Sequence, residues 1–374
     1  MKNIILINVE PFTPGRDKFF HVNELRQDHF DVKVWDLSIL SLRGTDFPDV
    51  IVDDYVMVFK NFAEIKIALN QVDIKETFFI VQVPFNDKTY PLYKELKKRK
   101  CYVARFDFYT NTFYEDNYHI DLQFSWRNTS VFFDKLFKKF RNYIKWKRNK
   151  IKWSKIHYDC RLSPLNGDNI TGHINHPDYD NFIFHKEERL LNYRYLVFCD
   201  NYFPYHPDLI EKVDGIDGKK YQKQMSELFT YLEKKTGLPI VIAAHPKAKY
   251  IGKEFGNRRI IKFKTNNLVQ YSEGVIFHTS NSLSYAIMAN KPILSVTTND
   301  YELLRFPFDK LSKYLEIPYY NLDQNSMSDI EFHSISKDVR EKYIYSFLTN
   351  KECESIDNYT IIKETILKAK NLKI

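Results

Sequence analysis

Cysteine is scarce and scattered in this chain. Its four cysteines, Cys101, Cys160, Cys199 and Cys353, form no CxxC pair and no short, even spacing. That excludes a disulfide framework and predicts a reducing, cytoplasmic setting. Glycine is also sparse, at 10 of 374 residues, against what a collagen-like or low-complexity chain requires. No apolar run approaches the length that spans a bilayer. The opening residues 1–8 hold too short an apolar stretch for a signal peptide and read as a first strand. There is no P-loop, GxGxxG, HExxH or GxSxG, so the common nucleotide hydrolases, dinucleotide dehydrogenases, zinc proteases and hydrolases lose their signatures. Internal repeats and low-complexity blocks are missing as well.

What is present is a globular composition, 44% hydrophobic and 16% aromatic, long enough for two domains with a core each. The net charge of +8 is unevenly placed. Ten cations between Lys135 and Lys155 are interleaved with Phe137, Phe140, Tyr143, Ile144, Trp146, Ile151 and Trp153. A helix of this kind suits peripheral contact with an anionic membrane surface through 135–155, or a solvated link between domains. A nucleic-acid partner is not expected, because no recognition motif accompanies the charge.

Short apolar runs alternate with helical periodicity from the start: 4–9, 32–37, 55–59, 78–83 and 102–106 read as strands, and 90–100 as an amphipathic helix. The pattern is α/β, a doubly wound sheet. Residues 132–153 read as a long basic helix and 155–189 as a polar, irregular region. A second α/β series begins at 195–200 and continues with a helix over 221–236 closed by Gly237, then strands at 240–244 and 260–263. The expected organisation is an N-terminal Rossmann-like domain over 1–160, a linker at 161–194, a second domain over 195–335, and C-terminal helices over 336–374 that pack back.

The candidate site gathers on the second series. The stretch from Gly274 to Thr298 reads as strand, polar turn, helix and strand. His278, Thr279, Ser280, Asn281 and Ser282 lie in the turn, with the helix expected to begin near Asn281 or Ser282. Capping residues at a helix N-terminus offer amide donors, hydroxyl donors and the positive end of the dipole to an anion. Three His-Pro dipeptides occur, at His176, His206 and His245. His245-Pro246-Lys247 follows the strand at 240–244, which brings His245 and Lys247 to the edge where open α/β sheets hold ligands. There the histidine can donate to a phosphate or protonate a leaving group. Asp200 ends the first strand of the series, as a candidate base or nucleophile, and Asn201, His206 and Asp208 follow it as cleft or capping residues. Asp178-Tyr179-Asp180 has the spacing of a metal-binding DxD but reads as a solvated turn.

Taken together, a strand followed by Asp200, a strand followed by His245-Pro246, and His278-Thr279-Ser280-x-Ser282 opening a helix before Lys291-Pro292 resemble bacterial glycosyltransferases that use CMP-activated acidic sugars. These are the sialyltransferase, polysialyltransferase and Kdo-transferase groups of capsule and lipopolysaccharide synthesis. The likeness covers Leu196 to Val296. It implies a GT-B fold, two Rossmann-like lobes facing a cleft with the donor nucleotide held by the C-terminal one. It further implies a CMP-sugar donor, an oligosaccharide or lipid-linked glycan acceptor, and no metal or other cofactor. His245 would contact the CMP phosphate and assist its departure, and Ser280 and Ser282 would hold that phosphate. Asp200 matches a nucleophilic aspartate of the retaining Kdo enzymes. The acidic-acidic-Gly of the sialyltransferases is not reproduced at Asp53-Asp54-Tyr55, and stereochemistry stays open. A UDP- or GDP-sugar donor, or a non-catalytic role in glycan assembly, are the alternatives.

Overall fold

The computed structural model describes residues 1–41, 49–108, 157–206, 216–280, 282–304 and 306–371, with isolated positions between 140 and 148. The chain divides into two compact units. One holds Met1–Asp107, the strands that end before Asn175 and the segment from Asn358, and the other holds Asn175–Asp357.

The first unit is built on seven parallel strands: β1 (Asn3–Asn8), β2 (Asp31–Asp36), β3 (Val56–Val58), β4 (Thr77–Gln82), β5 (Tyr102–Phe106), β6 (Cys160–Ser163) and β7 (Gly172–His173), in the order β3-β2-β1-β4-β5-β6-β7. The central strands are near-continuous apolar runs because helices cover the sheet. Ile65 and Leu69 of helix Phe62–Asn70, with Leu92, Tyr93 and Leu96 of helix Tyr90–Lys98, bury Ile5, Ile7, Phe79, Val81 and Val103. The C-terminal helix Asn358–Asn371 also belongs to this unit. Its Tyr359 hydroxyl and Lys363 ammonium, the latter at 2.5 Å, both engage Asp28, and Ile362, Ile366 and Ala369 are buried.

The second unit contains β8 (Leu196–Cys199), β9 (Ile240–Ala244), β10 (Glu254–Asn257), β11 (Ile260–Lys262), β12 (Gly274–Phe277), β13 (Ile293–Thr297) and β14 (Tyr319–Asn321). Six of these form a parallel sheet ordered β11-β9-β8-β12-β13-β14. Helix Gly218–Thr236 starts where the Asp217 carboxylate accepts from the Lys219 and Lys220 amides. It ends at Gly237, whose φ of 69° permits the left-handed turn. Its Tyr221, Met225, Leu228, Phe229 and Leu232 cover one face of the sheet, against Leu196, Phe198, Ile242, Ile276 and Val296.

The region expected to be an irregular linker is more ordered than its composition implies. It supplies β6 and β7 and the helix Pro177–Ile183, so Asp178 and Asp180 lie on a helix rather than in a solvated turn. Asp178 accepts from the Ser284 hydroxyl, and buried Asp180 lies 3.3 Å from His185. Apart from the few exposed helical positions between 140 and 148, the basic stretch 135–155 lies outside the described residues, as do Asp208 and Asn281.

Candidate functional site

In the second sheet the chain moves from β8 to β9 to β11, then returns to the other side of β8 to add β12, β13 and β14. The direction reverses between β8 and β12, and such a switch point opens a crevice at the carboxyl ends of the strands. Asp200 follows β8, His245 follows β9, His278 follows β12 and Thr298 follows β13. The sequence reading placed the first three on this edge, and the parallel register puts them there.

Their roles differ from that reading. His278 is fully buried, pointing to the face that carries Ile276 and helix Gly218–Thr236. Its Nδ1 lies 2.6 Å from the Val296 carbonyl, which can only accept, so Nδ1 carries the proton. Nε2 then accepts from the Tyr221 hydroxyl at 2.7 Å. Burial pulls the imidazole down to about 4, so it is neutral at physiological pH. With both ring nitrogens engaged, His278 is a wedge beneath the site and not a phosphate donor. Tyr301 stacks on it, ring centroids 4.6 Å apart.

Above that wedge lies a polar cluster. The Asn201 amide donates to the Tyr301 hydroxyl at 2.8 Å and to Thr279 Oγ1 at 3.3 Å. The hydroxyls of Thr279 and Tyr301 are themselves bonded. Asn201 comes from the β8 end and Thr279 from the β12 end, so the three groups bridge the switch-point crevice.

Asp200 is 4% exposed. Its Oδ1 accepts from the Tyr202 amide at 3.0 Å, and its Oδ2 from the Tyr250 hydroxyl at 2.8 Å and the His245 amide at 3.5 Å. Burial pushes its carboxyl up to about 6, against the lowering effect of those three hydrogen bonds. A carboxylate so enclosed ties the ends of β8 and β9 together. This geometry gives Asp200 a positioning part in place of the nucleophile implied by the resemblance.

His245 is half-buried, and its Nδ1 accepts from the Lys247 amide at 3.1 Å. The neutral ring therefore carries its proton on Nε2. The His206 ring meets it edge to face at 4.7 Å. Proline lacks an N–H, so the first amide available to the imidazole is the one after it, and His176-Pro177-Asp178 closes the same turn at 3.1 Å.

The cradle at residues 280–282 is tighter than expected. The helix is Leu283–Met288, Ser280 Oγ accepts from the Ser282 amide at 3.2 Å, and the Ser282 hydroxyl caps nothing. Among the described residues both hydroxyls keep a proton to donate.

No protein-family model matches this chain, and no curated protein matches it in sequence. Solved structures do match. The UDP-GlcNAc 2-epimerase of Methanocaldococcus jannaschii is similar with a TM-score of 0.51 at 12% identity, over 98% of this chain and 100% of that one. The wall teichoic acid polymerase TagF is similar with a TM-score of 0.52 at 11% identity, over 98% of this chain and 90% of that one. The two units are those of a GT-B fold.

The GT-B assignment agrees with the fold class expected from the sequence. Within it, sequence reasoning missed Tyr250, Tyr301 and Tyr221, three tyrosines among 26 with no local signature. Only Thr298, whose hydroxyl accepts from the Tyr301 amide at 3.1 Å, left a readable trace as a cap type after a strand.

Proposed function

We propose that this GT-B chain is a glycosyltransferase that takes its sugar from a nucleotide-activated donor, with the nucleotide at the carboxyl edge of the second sheet. The Asn201, Thr279 and Tyr301 cluster across the β8/β12 switch point carries the reading, because that crevice is where such sheets hold ligands. His245 donates through Nε2 to the departing phosphate, and the hydroxyls of Ser280 and Ser282 stabilise its charge. Lys247 and His206 line the same edge, and Asp200 holds the His245 turn in place. The acceptor is a surface-glycan precursor, and the cations of 135–155 keep the enzyme near a lipid-linked, negatively charged one.

UDP is the nucleotide to test first, because one similar structure is that of a UDP-GlcNAc 2-epimerase. CMP, implied by the sequence resemblance, comes second and GDP third. Thermal unfolding with each nucleotide separates them, since a ligand at a hundred times its dissociation constant stabilises by about 2.7 kcal/mol. Stabilisation by UDP alone is expected. A shift with CMP alone restores the acidic-sugar donor, and no shift with any of the three removes the reading. Transfer is expected to survive EDTA, and His245→Ala is expected to abolish it at an unchanged melting temperature. Unfolding of that variant instead supports a non-catalytic glycan-assembly role. A nucleotide-sugar epimerase, favoured by the same similarity, would convert UDP-GlcNAc without releasing UDP.

A further inference from the structure

The first sheet carries a charge cluster that the donor site does not use. Arg105 on β5 and Arg161 on β6 are register partners, so their side chains leave one face of the sheet from strands about 4.8 Å apart. Like charges at that spacing repel, and Asp107 holds them: Oδ1 accepts from Arg105 Nε at 2.7 Å and Oδ2 from Arg161 Nε. One carboxylate against two guanidiniums leaves one positive charge over.

The two arginines are not equally committed. Arg105 also donates through Nη1 to the Val83 carbonyl and the Tyr158 hydroxyl, both at 3.3 Å. Among the described residues Arg161 spends only Nε, and 35% of its side chain is exposed. Its Nη groups form the planar donor fork that suits a phosphate. Arg161 sits near the carboxyl end of β6, where Ser163 and His173 follow in register.

We propose that Arg161, with Arg105 fixed beside it by Asp107, is an anion site that takes a phosphate group of the acceptor. The word acceptor rests on the glycosyltransferase reading, whereas the anion site stands on its own geometry.

The test titrates inorganic phosphate into the full chain by calorimetry, with UDP titrated separately and in competition. Arg161→Gln is expected to weaken phosphate about tenfold, equivalent to about 1.4 kcal/mol, and Asp107→Asn, which releases both guanidiniums, to strengthen it. UDP affinity should be unchanged in both variants. Wild-type phosphate affinity in Arg161→Gln, no gain in Asp107→Asn, or displacement of the phosphate by UDP overturns the assignment. Should Arg161→Gln fail to fold, Arg161→Lys keeps the charge and the stem but loses the fork. A loss of threefold or more is then expected, and wild-type affinity overturns the proposal. If UDP binds no variant while the Arg161 substitutions still lose phosphate, the donor reading fails and the anion site remains.

Discussion

At the scale of the residue, the second unit buries two titratable groups whose pH dependences run in opposite directions. His278 falls to about 4 from an ordinary 6.5. The stability that its neutral ring supports is fully present above 6.5 and is lost as pH drops through that window toward 4. At about 1.4 kcal/mol per pH unit the limit is about 3 kcal/mol. Asp200 rises to about 6 from 3.8, so its contribution is present below 3.8 and lost as pH climbs through 6, with a similar limit. Chemical denaturation between pH 4 and 7 checks both. His278→Gln should remove the excess acid sensitivity, and Asp200→Asn should gain on the parent as pH rises. Parallel pH profiles for parent and variants would contradict the burial argument. The sequence placed both groups at strand ends correctly. It did not say which way they faced, although the alternation puts His278 on the same side of β12 as Ile276, the side that helix Gly218–Thr236 covers.

At the scale of the element, legibility followed apolar content, since the largely exposed β3 and the half-buried β11 were read as strands too. β1, β4, β8, β9, β12 and β13 were readable because strands covered on both faces are written as unbroken apolar runs. β6 reads CRLS and β7 only GH, and their composition is that of a loop. The helix closed by Gly237 was legible at its end for a different reason. Only glycine adopts φ 69° without strain, and no neighbouring atom lies within 4 Å of the position a Cβ would occupy. Gly237→Ala should therefore cost about 1 kcal/mol through backbone conformation alone, read as a lower melting temperature with unchanged nucleotide binding. The recurrent His-Pro pairs looked like a site signature. In two of them the imidazole caps its own turn, so part of that recurrence reflects chain geometry.

At the scale of the whole molecule, alternating strand and helix periods were enough to give two Rossmann-like units, and the strand order, 3-2-1-4-5-6 within each sheet with a seventh strand added to the first, had to come from the fold. The C-terminal segment was legible as helical, but periodicity does not name its partner. Only the last helix, Asn358–Asn371, joins the first unit, where Ile362 and Ile366 are buried, whereas Val339, Tyr343 and Phe347 pack in the core of the second. Burying an isoleucine contributes about 1.5 to 3 kcal/mol. Ending the chain after Asp357 should lower the first unit's transition in calorimetry and leave that of the second unit in place. A single unshifted transition would contradict that assignment.

The discontinuity of the first unit also has a meaning for biosynthesis. Residues 175–357 are made between its two parts, which at ordinary elongation rates is a delay of roughly 10 to 40 s. Apart from Phe108–Asn117, the second unit runs unbroken from Asn175 to Asp357 and is synthesised whole before the helix that completes the first unit.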